Sequence, residues 1–595
     1  MFASIPAQFQ QWAVRSPDIV GCAAHDGSSW VEKTWEDYVH SVRAAGRALC
    51  ALGLAPGERI AIIGPNAPEW VVADLACMSV GGVSAGIHTA SSPAQARVVL
   101  RHMGASFAFA GSDDAVAKLA DVPPAGLRYV IGWGSCTGAD PAGGRFLSWD
   151  EFIAAGSGVP ESEFDQRMAS IRPDQLALLV YTSGTTGRPR GVMLTHGSIV
   201  ACTDMGVQML TERIDRMKFL SYLPLAHIAE RAFSVFGPSM LGYAVYFGPS
   251  IERLPSYLPE VRPHFFLGVP RVYEKIKEAL EPRFEAATGI GRILLRWAQR
   301  AGREYVRVRM SGREPTRRLA RRFARADRYV LSRIRKALGW DRSATFLSGA
   351  APMSVSTLEF FASIGVLVQE IYGLSETGGP ATFVRKDAAV FGSAGHAFDG
   401  VDVRIAADGE ILLRGDNLFT GYLNEPEETR AALKDDWLHT GDIGLVDPEG
   451  RLYVTGRKKD IIVTAGGKNV SPGPIELRLR AHPLVSEAIV VGDRRRFVAA
   501  LIGIETNAVR RNTAASSVGA DEIEHARSLV REHVRAVNAD LARPEQIKRF
   551  AILPRPLSAD HGELTPTMKV VRSAVETNFS PLIEELYEGT SESDL

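Results

Sequence analysis

The chain has 595 residues, 46% of them hydrophobic and 23% charged, a globular composition long enough for several domain-sized units with large cores. Its 68 Lys and Arg balance 68 Asp and Glu, so no whole-chain field recruits nucleic acid or an anionic membrane; any such attraction has to be local. Five cysteines without a C-x-x-C pair suit a reducing compartment. Neither end reads as a targeting segment, and the expectation is a cytoplasmic protein.

In chain order, 35–54 has the period of an amphipathic helix closed by Gly53, and the apolar run 59–63 reads as a strand. Asn66 is placed to cap a helix whose Glu69 lies three residues on. Gly82-Val83-Ser84-Ala85-Gly86 matches G-x-S-x-G, which raises a serine hydrolase as a rival reading. A nucleophile elbow needs a strand before the serine and a helix after it. Here a helical pattern over 69–79 precedes and an extended stretch over 87–89 follows, which argues against hydrolysis. The uncharged run 232–251 has bilayer length, but Gly237-Pro238, Gly242 and Gly248-Pro249 punctuate it. It divides into a short apolar helix and a buried strand at 244–247.

Such alternation of strands and helices predicts an α/β fold with mostly parallel sheets. From 391 the pattern becomes β-rich, with a hairpin over 401–414 turning at Ala407-Asp408-Gly409. After Gly456-Arg457-Lys458-Lys459-Asp460 it resets to a strand, a glycine loop, a helix and two strands, then a long helix over 521–541 and a last strand at 550–553. The expected division is a large domain, 1–457, containing the β-rich subdomain 391–457, a hinge at 458–460, and a small mobile α+β domain, 461–595. A charged boundary suits a defined hinge better than a floppy tether.

The sharpest chemical signal follows the apolar run 178–180: Tyr181-Thr182-Ser183-Gly184-Thr185-Thr186-Gly187-Arg188-Pro189-Arg190-Gly191. Glycines let backbone N–H groups converge on an anion, four hydroxyls add donors, and two arginines supply positive charge. It is a phosphate loop without Walker A spacing.

This run resembles the phosphate loop of the adenylate-forming superfamily. Ordered matches follow at Ser348-Gly349-Ala350-Ala351-Pro352, Tyr372-Gly373-Leu374-Ser375-Glu376-Thr377, Trp437 to Asp442, Gly456-Arg457 and Glu563 to Lys569. Within the superfamily the chain is most similar to long-chain and bubblegum-type fatty acyl-CoA synthetases, through 223–231, 268–276, 372–379 and 464–470. The resemblance covers nearly the whole chain. Arg190 stands where that loop usually has lysine, so no essential contact is assigned to it.

The resemblance implies a two-step reaction: a carboxylate attacks the α-phosphorus of ATP to give acyl-adenylate and pyrophosphate, then the thiol of coenzyme A displaces AMP. It implies Glu376, with Thr182, as the Mg²⁺ ligands. Thr182, Ser183, Gly184, Thr185, Thr186, Gly187, Gly349, Tyr372, Gly373, Thr377, Asp442 and Arg457 would bind ATP or AMP, Tyr372 by its aromatic face and Asp442 through the ribose hydroxyls. His227 would lie beside the reacting carboxylate, Lys569 would reach the carboxylate and α-phosphate, Lys459 would be the hinge, and Gly466 and Gly467 would face coenzyme A. An acyl-AMP ligase loading a carrier protein is the closer rival. Oligomeric state is left open between monomer and homodimer.

A last feature is local charge. The stretch 291–336 interleaves sixteen Lys and Arg with Glu304, Glu314 and Asp327 only, and with apolar residues such as Leu294, Leu295, Trp297 and Phe323. Helices with one buried and one basic face are expected there, with peripheral contact to an anionic membrane surface.

Overall fold

The computed structural model describes residues 4–588 apart from 120–125, 135, 137–144, 184–188, 210–215, 312, 387, 506–519, 559–560 and 566–568. Its largest sheet has eight strands in the order Gly421–Tyr422, Pro189–Thr195, Leu176–Ser183, Val83–Ile87, Arg59–Ile63, Phe107–Ala110, Tyr129–Gly132 and Arg145–Ser148. The last six run parallel, and the first two add an antiparallel edge. Ile60, Ala61, Ile62 and Ile63 are all buried, as a parallel strand covered on both faces requires.

A second sheet carries Phe265–Gly268, Thr345–Ser348 and Val368–Leu374 in parallel, then Gly379–Phe383 and His396–Ala397 antiparallel. A third joins Lys218–Ser221, Ala244–Phe247, Val20–His25 and Trp30–Thr34. The strand Ala244–Phe247 is wholly buried, and no helix among the described residues is long and apolar enough to cross a membrane.

Helix limits follow local chemistry. Trp35–Ala51 opens on a capping box between Thr34 and Asp37 and ends before Gly53, whose φ of +79° only glycine adopts without strain. Asn66 does not cap the next helix, Pro68–Ser79, which begins after Ala67. Its amide instead donates to Ser221 Oγ at 2.9 Å and to the Leu223 carbonyl at 2.7 Å. Burial explains the difference: a buried amide must find partners, and a neighbouring sheet supplies them.

The β-rich part is antiparallel: Val401–Ile405, Glu410–Gly415, Trp437–Val446 and Leu433–Lys434, with Leu452–Arg457 paired to Trp437–Val446. It begins at Val401 rather than at 391, because His396–Ala397 hydrogen-bonds into the second sheet. Beyond Asp460, the hairpin Ile462–Val463/Asn469–Val470 and the helix Pro472–Leu479 precede a three-stranded sheet of Val485–Val491, Ala499–Ile504 and Arg549–Ile552, packed by the helix Ala520–Ala539. Val470, Leu479, Val490, Ile502, Val530 and Val534 make a core of its own. The whole is α/β with mixed sheets: a large N-terminal domain and a small C-terminal one.

Candidate functional site

The second sheet and the β-rich part bring three expected residues together. Asp442 and Arg457 are cross-strand neighbours, and Arg457 Nε lies 3.2 Å from Asp442 Oδ1. Tyr372, from Val368–Leu374, donates its hydroxyl to Asp442 Oδ2 at 2.9 Å. Burial raises the Asp442 carboxyl, opposed by Arg457, by this hydrogen bond and by Lys569. Burial likewise lifts the Tyr372 hydroxyl well above its ordinary value. Gly349 follows the strand Thr345–Ser348; a Cβ there would stand 2.7 Å from Ile371 Cγ1. A Cβ on Gly373 would meet the Gly379 carbonyl at 2.1 Å, so both glycines keep this wall thin.

At the phosphate end, Thr182 is paired with Arg190, and Ser183 with Pro189, in the antiparallel ladder. Gly184, Thr185, Thr186 and Gly187 lie outside the described residues. Glu376 sits on a single turn, Ser375–Thr377. The turn is fixed from outside, since Phe419 N–H donates to the Glu376 carbonyl and Tyr422 Oη to Glu376 Oε1, each at 2.8 Å. Burial raises the Glu376 carboxyl. Thr377 is buried, with its hydroxyl engaged inside the turn by Leu374 and Gly379. Arg190 approaches Glu425, Nε to Oε2 3.4 Å, and its guanidinium stands 5.5 Å from the Tyr422 ring centre. Tyr422 and Arg190 thus form the support of Glu376, a role no residue pattern in 421–422 announces.

At the third corner, His227 caps the turn Ile228–Arg231, its Nδ1 accepting from Ala229 N–H at 3.2 Å. The ring proton is therefore on Nε2. Burial, then Lys569 and His88, push its pKa down to about 3. His88, at the end of Val83–Ile87, falls to about 4 by burial; it was not singled out from sequence. Lys569 comes from the C-terminal domain and is exposed to solvent. Surrounding protein lowers its pKa, Arg457 adding to that and Asp442 opposing it. The ammonium is within electrostatic reach of Asp442 and His227 alike.

Gly466 and Gly467 are exposed in the turn of the hairpin Ile462–Val463/Asn469–Val470, Gly467 at φ +70° with nothing within 4 Å of its Cβ position. Lys459 lies in the single turn Lys458–Asp460, and Lys458 Nζ pairs with Asp408 Oδ2 at 2.7 Å and Glu410 Oε2 at 3.1 Å. Ser84 is inside its strand and buried, bonded to Asp74 and Arg231, which themselves form a buried ion pair. No attacking position remains for that serine.

No group of three or more His, Cys, Asp and Glu side chains that could hold a metal occurs among the described residues. A lone half-buried carboxylate such as Glu376 fits Mg²⁺, which keeps waters and substrate phosphates as its other ligands.

The profile of the AMP-binding enzyme family matches residues 9–423, and that of the AMP-binding enzyme C-terminal domain matches 459–591. The chain belongs to the AMP-binding enzyme family. It is 32% identical to the long-chain-fatty-acid–CoA ligase ACSBG2 of Xenopus laevis, over 98% of this chain and 83% of that protein. To the long-chain-fatty-acid–CoA ligase FadD15 of Mycobacterium tuberculosis it is 36% identical, over 94% and 92% of the two. Among solved structures, a Mycobacterium tuberculosis fatty acyl CoA synthetase shares the fold at TM-score 0.63 and 21% identity, covering 98% of this chain and 99% of that one. The O-succinylbenzoate coenzyme A synthetase of Bacillus subtilis, in complex with ATP and magnesium ion, gives TM-score 0.66 and 20% identity, covering 95% and 98%.

Proposed function

We propose that this family member is an AMP-forming long-chain fatty acid–CoA ligase, which activates the acid with ATP and passes the acyl group to coenzyme A. The observation that supports it most is the electrostatic influence of Lys569, from the small domain, on Asp442 and His227 of the large one. In this reading the ammonium of Lys569 stabilises charge that grows between the acid and the α-phosphate. His227, neutral and with a proton on Nε2, orients the carboxylate without competing for charge. Tyr372 and Asp442 hold adenosine, and the hydroxyls and backbone of 182–187 hold phosphate oxygens. Glu376, with Thr182, would hold Mg²⁺, which when bound neutralises phosphate charge.

Thioester formation then needs Lys569 to leave and the Gly466-Gly467 turn to arrive, by rotation at Lys459 between 1–457 and 461–595. Contact with an anionic membrane through 291–336 would bring the enzyme to its acid. The test is ATP–pyrophosphate exchange with acids from acetate to very long chains, followed by transfer to coenzyme A or to a carrier protein. Exchange with long acids and transfer to coenzyme A are expected; transfer to the carrier alone would replace the ligase by an acyl-AMP ligase.

A further inference from the structure

We infer that Asn66 and Glu230 are positioning residues for His227. The inference rests on the reading of His227 as the group beside the reacting carboxylate, and it deepens that reading.

His227 is reached from the strand Lys218–Ser221 by a short irregular link, 222–226, that has no sheet partners to fix it. Two buried polar side chains grip the start of that link. Asn66, 8% exposed, stands just ahead of the helix Pro68–Ser79. It places one amide hydrogen on Ser221 Oγ, at the end of the strand, and the other on the Leu223 carbonyl of the link. Glu230, fully buried on the turn that His227 caps, accepts from Ser234 Oγ at 2.7 Å. Ser221 and the backbone of 222–223 lie close enough to oppose the burial that raises its carboxyl, while Oε2 completes no hydrogen bond among the described residues.

Residues 221 and 223 are thus held by the donors of Asn66 from the first sheet's side, with the buried Glu230 carboxyl close to them on the helical side. The neighbouring Arg231 is tied to Asp74 on the helix that Asn66 precedes, so both ends of the His227 turn refer to one rigid element. The Pro224 carbonyl, just past the gripped residues, receives the His227 N–H at 2.9 Å. A shift of the link therefore passes to the imidazole. Leaving a buried carbonyl and hydroxyl unpaired on one side gives the link room to move, and misplacement of a reacting group by an ångström is costly in rate.

The experiment is a double-mutant cycle on pyrophosphate exchange with a long-chain acid. Asn66→Ala and Asn66→Asp remove the two donors, Glu230→Gln alters the acceptor, and each is made alone and with His227→Ala; melting temperature is recorded for all. Each single variant is expected to lower kcat about tenfold or more with KM for ATP nearly unchanged. In the His227→Ala background the further loss should stay within about twofold, because a residue acting through His227 has nothing left to act on. Full multiplication of the two losses for both Asn66 and Glu230, or activity that merely follows the melting temperature, overturns the inference and leaves His227 in place. An unimpaired His227→Ala enzyme overturns the reading of His227, and this inference with it.

Discussion

Tyr422 donates its hydroxyl to Oε1 of Glu376 at 2.8 Å, and Arg190 lies over the Tyr422 ring. If Glu376 holds Mg²⁺ as proposed, the tyrosine fixes which oxygen of that half-buried carboxylate remains for the cation. Groups that orient a metal ligand typically contribute about 10–100-fold in affinity or activity. Tyr422→Phe should therefore raise the Mg²⁺ concentration for half-maximal pyrophosphate exchange about tenfold. Binding of Mg²⁺–ATP, followed by calorimetry, should weaken in parallel. An unchanged Mg²⁺ dependence would remove Tyr422 from this role.

Lys569 is the one lysine of the small domain that perturbs His227 and is itself perturbed by Asp442. Lys569→Ala should abolish exchange, a loss of about a hundredfold or more for a charge aimed at the transition state. The same variant should still make acyl-CoA from supplied acyl-adenylate. Equal loss in both half-reactions would contradict the assignment.

Rotation at the hinge asks for backbone freedom at Lys459, between the ion pairs that hold Lys458 to Asp408 and Glu410 and the first hairpin of the small domain. Lys459→Pro fixes φ. Adenylation should stay near wild type, while thioester formation falls about tenfold or more. If single-turnover rates of the two steps drop together, the hinge lies elsewhere.

The neighbourhood of Tyr372, Asp442 and Arg457 was legible because each sits in a short contiguous motif, Tyr372 to Thr377, Trp437 to Asp442 and Gly456-Arg457, and the structure brings these three side chains together. What escaped were contacts between distant segments. Asn66 has the local signature of a cap, and only the packing of one sheet on another reveals Ser221 and Leu223 as its partners. Tyr422 meets Glu376, with Arg190 over its ring, because a two-residue strand, Gly421–Tyr422, joins the edge of the largest sheet, and periodicity carries no signal for so short an element. The fold class was easier to read: runs such as 60–63 are apolar throughout, which amphipathic surface strands are not.

Buried neutral histidines set an acid limit on stability. His196 is buried and its pKa falls from 6.5 to about 4. Between those values the unfolded chain binds the proton that the folded one refuses, so stability falls as pH drops through this window. Glu230 and Glu370, raised by burial to about 7, act oppositely: the folded state keeps their protons, and stability falls as pH rises from 4.5 to about 7. A single substitution separates these contributions. His196→Gln should recover about 2 kcal/mol relative to wild type on going from pH 7 to pH 5, measured by urea unfolding. An identical difference between the two proteins at both pH values would show that His196 titrates normally.

The helix Gly289–Met310 packs Leu295, Ala298, Ala301, Gly302 and Val306 inward and leaves Ile290, Ile293 and Leu294 exposed by 76%, 68% and 47%. Positions i, i+3 and i+4 share one face, so these three form an apolar tip that the domain leaves uncovered. In the same helical region, Arg307 is paired with Glu359, Arg322 with Glu304 and Arg335 with Asp327, whereas Arg296 and Arg300 on this helix and Arg318 and Arg321 on the next, Arg317–Ala326, form no ion pair among the described residues. An exposed apolar tip, with unpaired arginines on its own helix and the next, matches the boundary between acyl chains and anionic headgroups. Each arginine near such a surface contributes about 1 kcal/mol, and each inserted Ile or Leu about 1.5–3 kcal/mol. Binding to phosphatidylglycerol vesicles in co-sedimentation should therefore exceed binding to phosphatidylcholine and weaken with salt. Ile293→Asp and the quadruple change of Arg317, Arg318, Arg321 and Arg322 to Glu should each reduce it at least about tenfold, with exchange on a water-soluble short acid unchanged. Equal sedimentation of wild type and both variants, or of wild type with and without vesicles, would reject the membrane contact and leave the chemistry of the site as it stands.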